Sequence, residues 1–243
     1  MLKEETKHQL EVWQEFISET VAHGDSLPSF PIWAMEFGAN YPFEDVCPAY
    51  QPLEKLQNSK GKLGKEVVGI SKEECLSQLP IYAQTAKDKV FPHWKIRYIQ
   101  QNRDFYKRHK SWLDKWIKKI KTFENSHMKM EWNCGKDAKP TIEDKIIQFR
   151  ASGIRIKLPT FAPALNLVGT QIPILPWIKI QNTSQKGRYM TLKEAASLQG
   201  MEQLSFGELS TTRSYEALGN AVNTQVVKII AERLIKLYGH GSN

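Results

Sequence analysis

The segment from Pro92 to Lys121 constrains the fold most, because its residue pattern predicts one long helix. Large apolar residues recur along it at helical spacing, namely Trp94, Tyr98, Phe105, Trp112, Trp116 and Ile120. Such a stripe is more typical of a buried core contact than of a platform for stacking nucleic-acid bases. We therefore expect a helix, interrupted at most once, that packs by this stripe against the rest of the chain.

The same segment also concentrates the positive charge of the chain. From His93 to Lys121 there are ten Lys or Arg residues and two Asp residues. The local excess of eight positive charges equals the net charge of +8 of the whole chain. The basic residues are Lys95, Arg97, Arg103, Lys107, Arg108, Lys110, Lys115, Lys118, Lys119 and Lys121. A basic surface of this kind is expected of a protein that neutralises phosphates, although a solvated lysine-rich helix face explains the stretch equally well.

Composition narrows the class of protein. Apolar residues make up 41% and charged residues 25% of the chain, which is typical of globular domains. No stretch approaches the roughly 20 apolar residues of a membrane span, and the N-terminal residues lack an apolar signal core. Cys47, Cys75 and Cys134 show neither paired spacing nor a histidine ligand pattern, so we expect reduced thiols and no metal site. These features predict a soluble intracellular protein with no membrane partner.

Shorter elements are expected on both sides of the long helix. An amphipathic helix over 3–22 should stop at His23-Gly24-Asp25, and the prolines of Leu27–Gly38 favour an ordered, irregular segment. Residues 51–66 suggest a polar surface linker. The remaining expectations are a capped helix at Ser71–Glu74, strands at Met128–Asn133 and Ile154–Leu158 with a basic face exposed on the latter, and either helix or strand for Thr141–Arg150.

Two short motifs occupy the last quarter of the chain. Thr191 and Glu194 form a capping-box pattern that predicts a short helix, and Gly200 suits the left-handed position at its end. Farther on, Gly219-Asn220 predicts a turn before a helix that begins at Ala221. The apolar face expected for that helix comprises Val222, Val226, Ile229, Ile230, Leu234 and Leu237.

In order and spacing, these motifs resemble motifs IX and X of the DNA (cytosine-5) methyltransferases. The matching positions are Arg188, Met190, Thr191, Glu194, Leu198 and Gly200 for the first motif, and Gly219, Asn220, Ala221, Val222, Val226, Ile230 and Leu234 for the second. Glu216 and Tyr238 depart from the commoner residues. The segments 148–165 and 30–38, and less distinctly 96–103, resemble parts of the target-recognition domain in a subset of the family, with Ala164-Leu165 where many relatives have Thr-Leu.

The resemblance implies an α+β fold with three parts. Residues 1–40 would form an N-terminal helix and connecting segment. Residues 41–187 would form an irregular target-recognition domain with the long basic helix and a small sheet. Residues 188–243 would complete the methyltransferase domain with the motif IX helix and a C-terminal motif X helix, which in this family packs on the Rossmann-like catalytic half.

The resemblance also implies sites for a cofactor and for DNA. Asn220, Ala221 and Val222 would border S-adenosylmethionine. The residues expected to meet double-stranded DNA are Arg97, Arg103, Lys107, Arg150, Arg155 and Lys157, together with Arg188, which would also brace the recognition domain. In this family the nucleophilic cysteine follows a proline, and none of the three cysteines here does. The family's Glu-Asn-Val and Phe-x-Gly-x-Gly motifs are missing from the sequence. Gln148-Phe-Arg150 matches only part of the family's Gln-x-Arg-x-Arg motif. We therefore expect no catalytic residue and no methylation by this chain alone.

Three hypotheses about function follow. The first is the DNA-recognition subunit or fragment of a prokaryotic restriction–modification or defence methyltransferase, located with the nucleoid in the cytoplasm and partnered by a catalytic N-terminal half. It predicts exposed apolar side chains on the 221–238 helix, because that helix would await its partner. The second is a DNA-binding module without an enzyme partner, such as a relic or a regulator. The third, a basic helical RNA-binding protein, rests on the 93–121 stretch alone.

Overall fold

In a computed structural model, which describes residues 2–164, 171–180 and 183–238, the chain has a mixed α+β fold. The helices are α1 (Glu4–Ala22), α2 (Leu53–Gln57), α3 (Lys72–Ser77), α4 (Ile81–Gln84), α5 (His93–Ile120), α6 (Leu192–Leu198), α7 (Thr211–Asn220) and α8 (Thr224–Tyr238). The strands are β1 (Ile32–Trp33), β2 (Lys129–Asn133), β3 (Ile146–Arg150), β4 (Gly153–Lys157), β5 (Ile174–Lys179) and β6 (Lys186–Tyr189).

The chain divides into two compact units. The helical unit comprises residues 3–142 and 150–157, and the C-terminal unit comprises residues 1–2, 143–149 and 158–243. Strands β1, β2 and β4 belong to the helical unit, where β1 pairs with β2 antiparallel and β2 pairs with β4 parallel. In the C-terminal unit β5 pairs antiparallel with both β3 and β6. The functional domain limits expected from the sequence stay a prediction.

The core of the helical unit forms where α1 packs on α5. The rings of Trp13 and Phe16 lie 5.2 Å and 5.0 Å, respectively, from the ring of Trp116, and all three side chains are buried. The Trp116 indole nitrogen donates a hydrogen bond to the Val12 carbonyl oxygen at 2.9 Å. The predicted apolar stripe is therefore confirmed over most of its length. It fails at its first residue, since Trp94 is 49% exposed.

The predicted helix of 92–121 is confirmed, with one interruption. His109 leaves helical geometry with φ −109° and ψ 17°. Its ring nitrogen Nε2 lies 3.0 Å from Oδ2 of Asp25, three residues beyond the end of α1 at Ala22. The break in α5 thus coincides with a polar contact to the turn after α1.

Asn102 attaches the proline-rich segment 27–38, which contains β1, to α5. The buried side chain accepts a hydrogen bond from the Trp33 amide at 2.7 Å and donates to the carbonyl oxygens of Pro31 and Tyr98, each at 2.9 Å. Three hydrogen bonds satisfy most of what a buried carboxamide can make, so this contact costs little in desolvation. It explains why an irregular segment with several prolines is nevertheless ordered, as the sequence predicted.

The expected polar linker at 51–66 is wrong in part. The segment contains α2, and its residues Lys60 and Glu66 form an isolated β-bridge. Leu56 within the segment and Val67 directly after it are buried, so two apolar side chains anchor a stretch whose composition is otherwise that of a surface loop. Thr141–Arg150, left open between helix and strand, ends in β3.

We predict that Asn102→Asp destabilises the helical unit by about 3 kcal/mol, because a carboxylate buried there would face two carbonyl oxygens and lose both donors. Urea unfolding followed by circular dichroism measures the change. Asn133→Asp, at the exposed end of β2, is the matched control and should leave the midpoint nearly unchanged. Equal effects of the two substitutions would contradict the role given to Asn102.

Candidate functional site

The first C-terminal motif forms a helix with the predicted capping box. Thr191 Oγ1 accepts a hydrogen bond from the Glu194 amide at 3.2 Å, and Glu194 Oε2 accepts one from the Thr191 amide at 2.8 Å. Gly200 follows the helix with φ +70°, as expected for a left-handed position. The local pattern therefore predicted α6 correctly at both ends.

Arg188 forms a two-bonded ion pair with Glu194. The guanidinium nitrogens Nη1 and Nη2 donate to the two carboxylate oxygens at 2.8 Å and 2.7 Å, and Nη1 also donates to the Tyr189 carbonyl oxygen. The hydrogen bond from Arg188 is the main cause that lowers the pKa of Glu194 from its usual 4.5 to about 2, and the same bond raises the pKa of Arg188. The capping residue and the arginine before the helix thus hold each other in place.

A small core joins α6 to α7. It consists of the buried side chains of Met190, Ala195, Ala196, Tyr215 and Leu218. The Tyr215 hydroxyl crosses it and donates a hydrogen bond to the Met190 carbonyl oxygen at 2.5 Å. The sequence analysis did not predict α7, although Tyr215 and Leu218 have the spacing of a helix that buries one face.

The end of α6 is bonded to the start of α8. Gln199 Nε2 donates to the Leu218 carbonyl oxygen at 3.0 Å, and the Thr224 amide donates to the Gln199 carbonyl oxygen at 2.9 Å. The Thr224 hydroxyl donates to the Gly200 carbonyl oxygen at 2.8 Å, and Asn223 Nδ2 donates to the Leu198 carbonyl oxygen at 2.9 Å. The two motifs, about twenty residues apart in sequence, therefore form one hydrogen-bonded scaffold.

The predicted turn at Gly219-Asn220 is wrong. These residues are the last two of α7, and α8 begins at Thr224 rather than at Ala221. Asn223 is the capping residue, since its Oδ1 accepts hydrogen bonds from the amides of Gln225 and Val226 at 3.0 Å and 3.1 Å. The buried contacts of Tyr215 and Leu218 carry α7 as far as Asn220, and a second asparagine three residues later takes the cap.

The three residues predicted to border a cofactor lie at the end of α7 and directly after it, before α8. Asn220 and Val222 are exposed, and Ala221 is half-buried in an extended conformation. Within the described parts of the chain the Asn220 side chain makes no hydrogen bond, and Val222 is 66% exposed. A free amide beside a free aliphatic side chain is a combination that can line one wall of a pocket for a mixed polar and apolar molecule.

Helix α8 exposes an apolar surface along its whole length. Every residue from Gln225 to Tyr238 is exposed. The exposed large apolar side chains are Val226, Val227, Ile229, Ile230, Leu234, Ile235, Leu237 and Tyr238. An isolated helix of about 15 residues is marginal in water and usually depends on packing for its stability, so this surface is typical of one that another structure covers. The exposed face predicted for 221–238 is confirmed.

Most of the predicted DNA-binding arginines contact carboxylates of the chain itself. Arg103 pairs with buried Glu36 at 2.8 Å, both Arg150 and Arg155 pair with Glu131, and Arg188 pairs with Glu194.

The other predicted residues differ in their surroundings. Arg97 is exposed, Lys107 forms only an exposed pair with Asp104, and Lys157 is half-buried with its pKa lowered by burial. The structure brings Arg150, Arg155 and Lys157 onto neighbouring parts of the helical unit and does not bring Arg188 into that unit. Glu36 and Glu131 carry no local sequence signal, because their partners lie far along the chain.

The thiols and acidic side chains of the described residues are poorly placed for nucleophilic or metal chemistry. All three cysteines are buried, and none of them forms a disulfide in the described part of the chain. Burial raises the pKa of the Cys47 and Cys75 thiols, which disfavours the reactive thiolate. Among the described residues no cluster of three or more His, Cys, Asp or Glu side chains could hold a metal ion. No helix in that part of the chain is long and apolar enough to cross a membrane.

Comparisons with known proteins found a family model and a relative that match this chain. The family model for the C-5 cytosine-specific DNA methylases matches residues 53–236. The type II methyltransferase M.AluI of Cellulosimicrobium cellulans is 30% identical over 243 aligned positions, which cover 93% of this chain and 42% of the relative. The chain thus spans less than half the length of that relative. No solved structure matches the chain significantly.

We predict that Gly200→Ala destabilises the C-terminal unit more than Gly207→Ala does. Both glycines have positive φ, +70° and +54°, so alanine would strain either position by about 1 kcal/mol. Only at Gly200 would the new methyl group also lie 2.5 Å from Thr224 Oγ1 and break the contact between α6 and α8. Thermal unfolding of both variants measures the difference, and equal losses would show that the Thr224 contact contributes nothing.

Glu194→Gln should lower stability in a pH-dependent way. Because the folded pKa of Glu194 lies below the usual 4.5, the stabilisation is complete above pH 4.5 and is lost as the pH falls towards 2. For this partly exposed pair we expect about 1 kcal/mol at pH 7.

Urea unfolding of wild type and variant from pH 7 to pH 3 should show the gap closing. Glu202→Gln, at an exposed site, is the control. A gap that stays constant with pH would contradict the ion-pair explanation.

Proposed function

The chain belongs to the C-5 cytosine-specific DNA methylase family, and we propose that it is the DNA-recognition half of a DNA cytosine-5 methyltransferase of prokaryotic restriction–modification or defence type. The observation that carries the proposal is the uncovered apolar surface of α8. In the proposed enzyme, a catalytic half that holds the Pro-Cys nucleophile covers this surface, either as a separate subunit or as the rest of a longer polypeptide.

The side chains present determine which steps this chain and the catalytic half would each carry out. The buried cysteines cannot readily supply a thiolate, so the attack on cytosine belongs to the other half. In this proposal the chain positions DNA and completes the cofactor pocket, and it does not methylate DNA alone. Its site of action is then the cytoplasm, at the nucleoid.

The residues at the α7–α8 junction fit a cofactor wall. S-adenosylmethionine, when bound, supplies the methyl group for transfer. The Asn220 amide is free to hydrogen-bond to polar parts of such a molecule, and Ala221 and Val222 offer apolar contact. The bonds from Gln199, Asn223 and Thr224 hold this junction on α6, so the wall is preorganised before the partner arrives.

Arg188 acts in this proposal as a positioning residue. Its two hydrogen bonds to Glu194 fix the turn between β6 and α6, and Tyr215 links the same turn to α7. A guanidinium bound at both nitrogens to a carboxylate has little freedom left for a DNA phosphate. Its expected contact with DNA therefore becomes an indirect one, through the geometry of the scaffold.

The DNA-contacting residues are proposed to differ in availability. Arg97 is exposed and the Lys107 ion pair with Asp104 is exposed, so both residues can meet phosphates directly. Arg150 and Arg155 share the single carboxylate of Glu131, so together they keep an excess positive charge at the surface of the helical unit. Arg103 is held by buried Glu36 and supports the fold next to the contact surface.

A reconstitution experiment tests the proposal. The chain should restore methyl transfer to DNA when it is mixed with a separately produced catalytic half that carries Pro-Cys and Glu-Asn-Val. Incorporation of labelled methyl groups is the measurement, with each half alone and a working full-length relative as controls. If the pair stays inactive while the full-length relative methylates DNA, the alternative of a DNA-binding module or relic without an enzyme partner replaces this proposal.

Ile230→Glu should separate the partner contact from folding. Ile230 lies on the exposed surface of α8, so the substitution should leave the unfolding temperature of the chain within about 2 °C of wild type while weakening association with the catalytic half at least about tenfold. Lys228→Gln changes the charge by the same amount on the polar side of α8 and should bind normally. Equal binding by both variants would exclude α8 as the contact.

A further inference from the structure

Two lysines of the helical unit converge on one aromatic ring. The Nζ atoms of Lys95 and Lys129 lie 6.0 Å and 5.0 Å from the centre of the Tyr82 ring. Lys95 Nζ also lies 4.4 Å from the Phe91 ring centre, and Lys129 Nζ lies 5.1 Å from that of Trp33. The lysines come from distant parts of the chain, so no local sequence pattern predicts the cluster.

The strand pairing and the helix fix this arrangement. Trp33 of β1 stands opposite Lys129 of β2 in the antiparallel register, and Asn102 holds the Trp33 amide on α5. The Trp33 ring then packs 4.6 Å from that of Tyr82 and 6.4 Å from that of Trp94. The backbone of Lys129 is therefore positioned by the β1–β2 pairing, and that of Lys95 by helix α5.

Neither lysine has a counter-charge in the described part of the chain. No carboxylate lies within ion-pair distance of either Nζ, although Asp88 and Glu124 line the neighbouring grooves. Burial lowers the pKa of both lysines, and the charge of Lys95 adds to the effect on Lys129. Cation–π contacts offset part of the lost hydration but leave the positive charge uncompensated.

The cluster opens to solvent on two sides. Lys129 and Tyr82 line a groove of about 490 Å³, and Lys95 lines a second groove of about 410 Å³. Trp94, which is 49% exposed, lies next to Lys95 in the first turn of α5. Arg97 continues the exposed basic surface along the helix. An open surface with several cations suits an extended anion better than a small enclosed one.

We propose that Lys95 and Lys129 each neutralise one phosphate of bound DNA, and that the exposed ring of Trp94 packs against the adjoining sugar. The proposal rests on the proposed function, in which DNA is the substrate. It adds Lys129, which the sequence analysis did not choose, and pairs it with Lys95 of the basic helix. These contacts hold the duplex on the recognition unit without reading its sequence. DNA phosphate supplies the counter-charge that the fold leaves out.

The salt dependence of DNA binding tests this assignment. The experiment measures the binding constant of the whole chain for a mixed-sequence DNA duplex at several salt concentrations. The logarithm of that constant decreases linearly with the logarithm of the salt concentration, and each neutralised phosphate adds about 0.9 to the steepness of the line. The line should therefore be less steep by about 1.8 in the double variant Lys95→Gln/Lys129→Gln. The double variant Lys7→Gln/Lys55→Gln removes the same charge elsewhere in the helical unit and should keep the wild-type slope. Circular dichroism confirms that the variants fold.

Each result decides the question. An unchanged slope in the first double variant, an equal fall in both, or no DNA binding by the wild-type chain overturns the assignment. Isothermal titration calorimetry with inorganic phosphate tests the other source of the anion. The assignment to DNA is also overturned if the wild-type chain binds phosphate tightly, the first double variant alone loses that binding, and DNA binding is unchanged. The site would then be one for a free anion. None of these outcomes alters the reconstitution result, so failure here and failure of the proposed function are distinguishable.

Discussion

Glu36 is a fully buried carboxylate, and the helical unit is organised around the groups that satisfy it. Arg103 of α5 pairs with it, and the hydroxyl groups of Tyr41 and Tyr82 donate hydrogen bonds to the same side chain. Since an unpaired buried charge is very costly, all three donors must reach one point in the fold. That requirement ties the proline-rich segment to α5 and places the Tyr82 ring where two lysines meet it. The surface chemistry of this unit thus depends on an ion pair in its interior.

The C-terminal unit applies the same principle on a smaller scale. Arg188 and Glu194 restrain the entrance to α6, while Gln199 and Thr224 restrain its exit. The residues between α7 and α8 are held from both sides and yet leave Asn220 and Val222 uncommitted. A rigid support with free side chains at one junction is what a shared pocket requires, because ordering costs are met before binding.

Sequence reasoning succeeded where the determining interactions are local. The capping boxes at Ser71 and Thr191, the left-handed Gly200 and the apolar stripe of α5 after Trp94 were predicted correctly. It failed where residues distant in the sequence determine the local structure. Asn220 and Asn223 are both suitable caps, and only the buried face of α7 selects the second.

The candidate site shows the same limit. Arginines were chosen as DNA contacts from the resemblance and from their charge. Glu36 and Glu131 pair with three of them, and these carboxylates come close to the arginines only in the tertiary structure. The resemblance gave the family correctly, whereas the cluster of Lys95 and Lys129 depends on a strand register that no sequence motif encodes.

The exposed surface of α8 also affects the steady-state amount of this protein in a cell. A chain that displays a long row of aliphatic side chains is a ready substrate for chaperones and proteases until they are covered. Under the proposed function, the steady-state amount of the recognition half would then follow the supply of its catalytic counterpart. Excess copies would be removed instead of accumulating on DNA. A helix that serves assembly would in this way also set the ratio of the two halves.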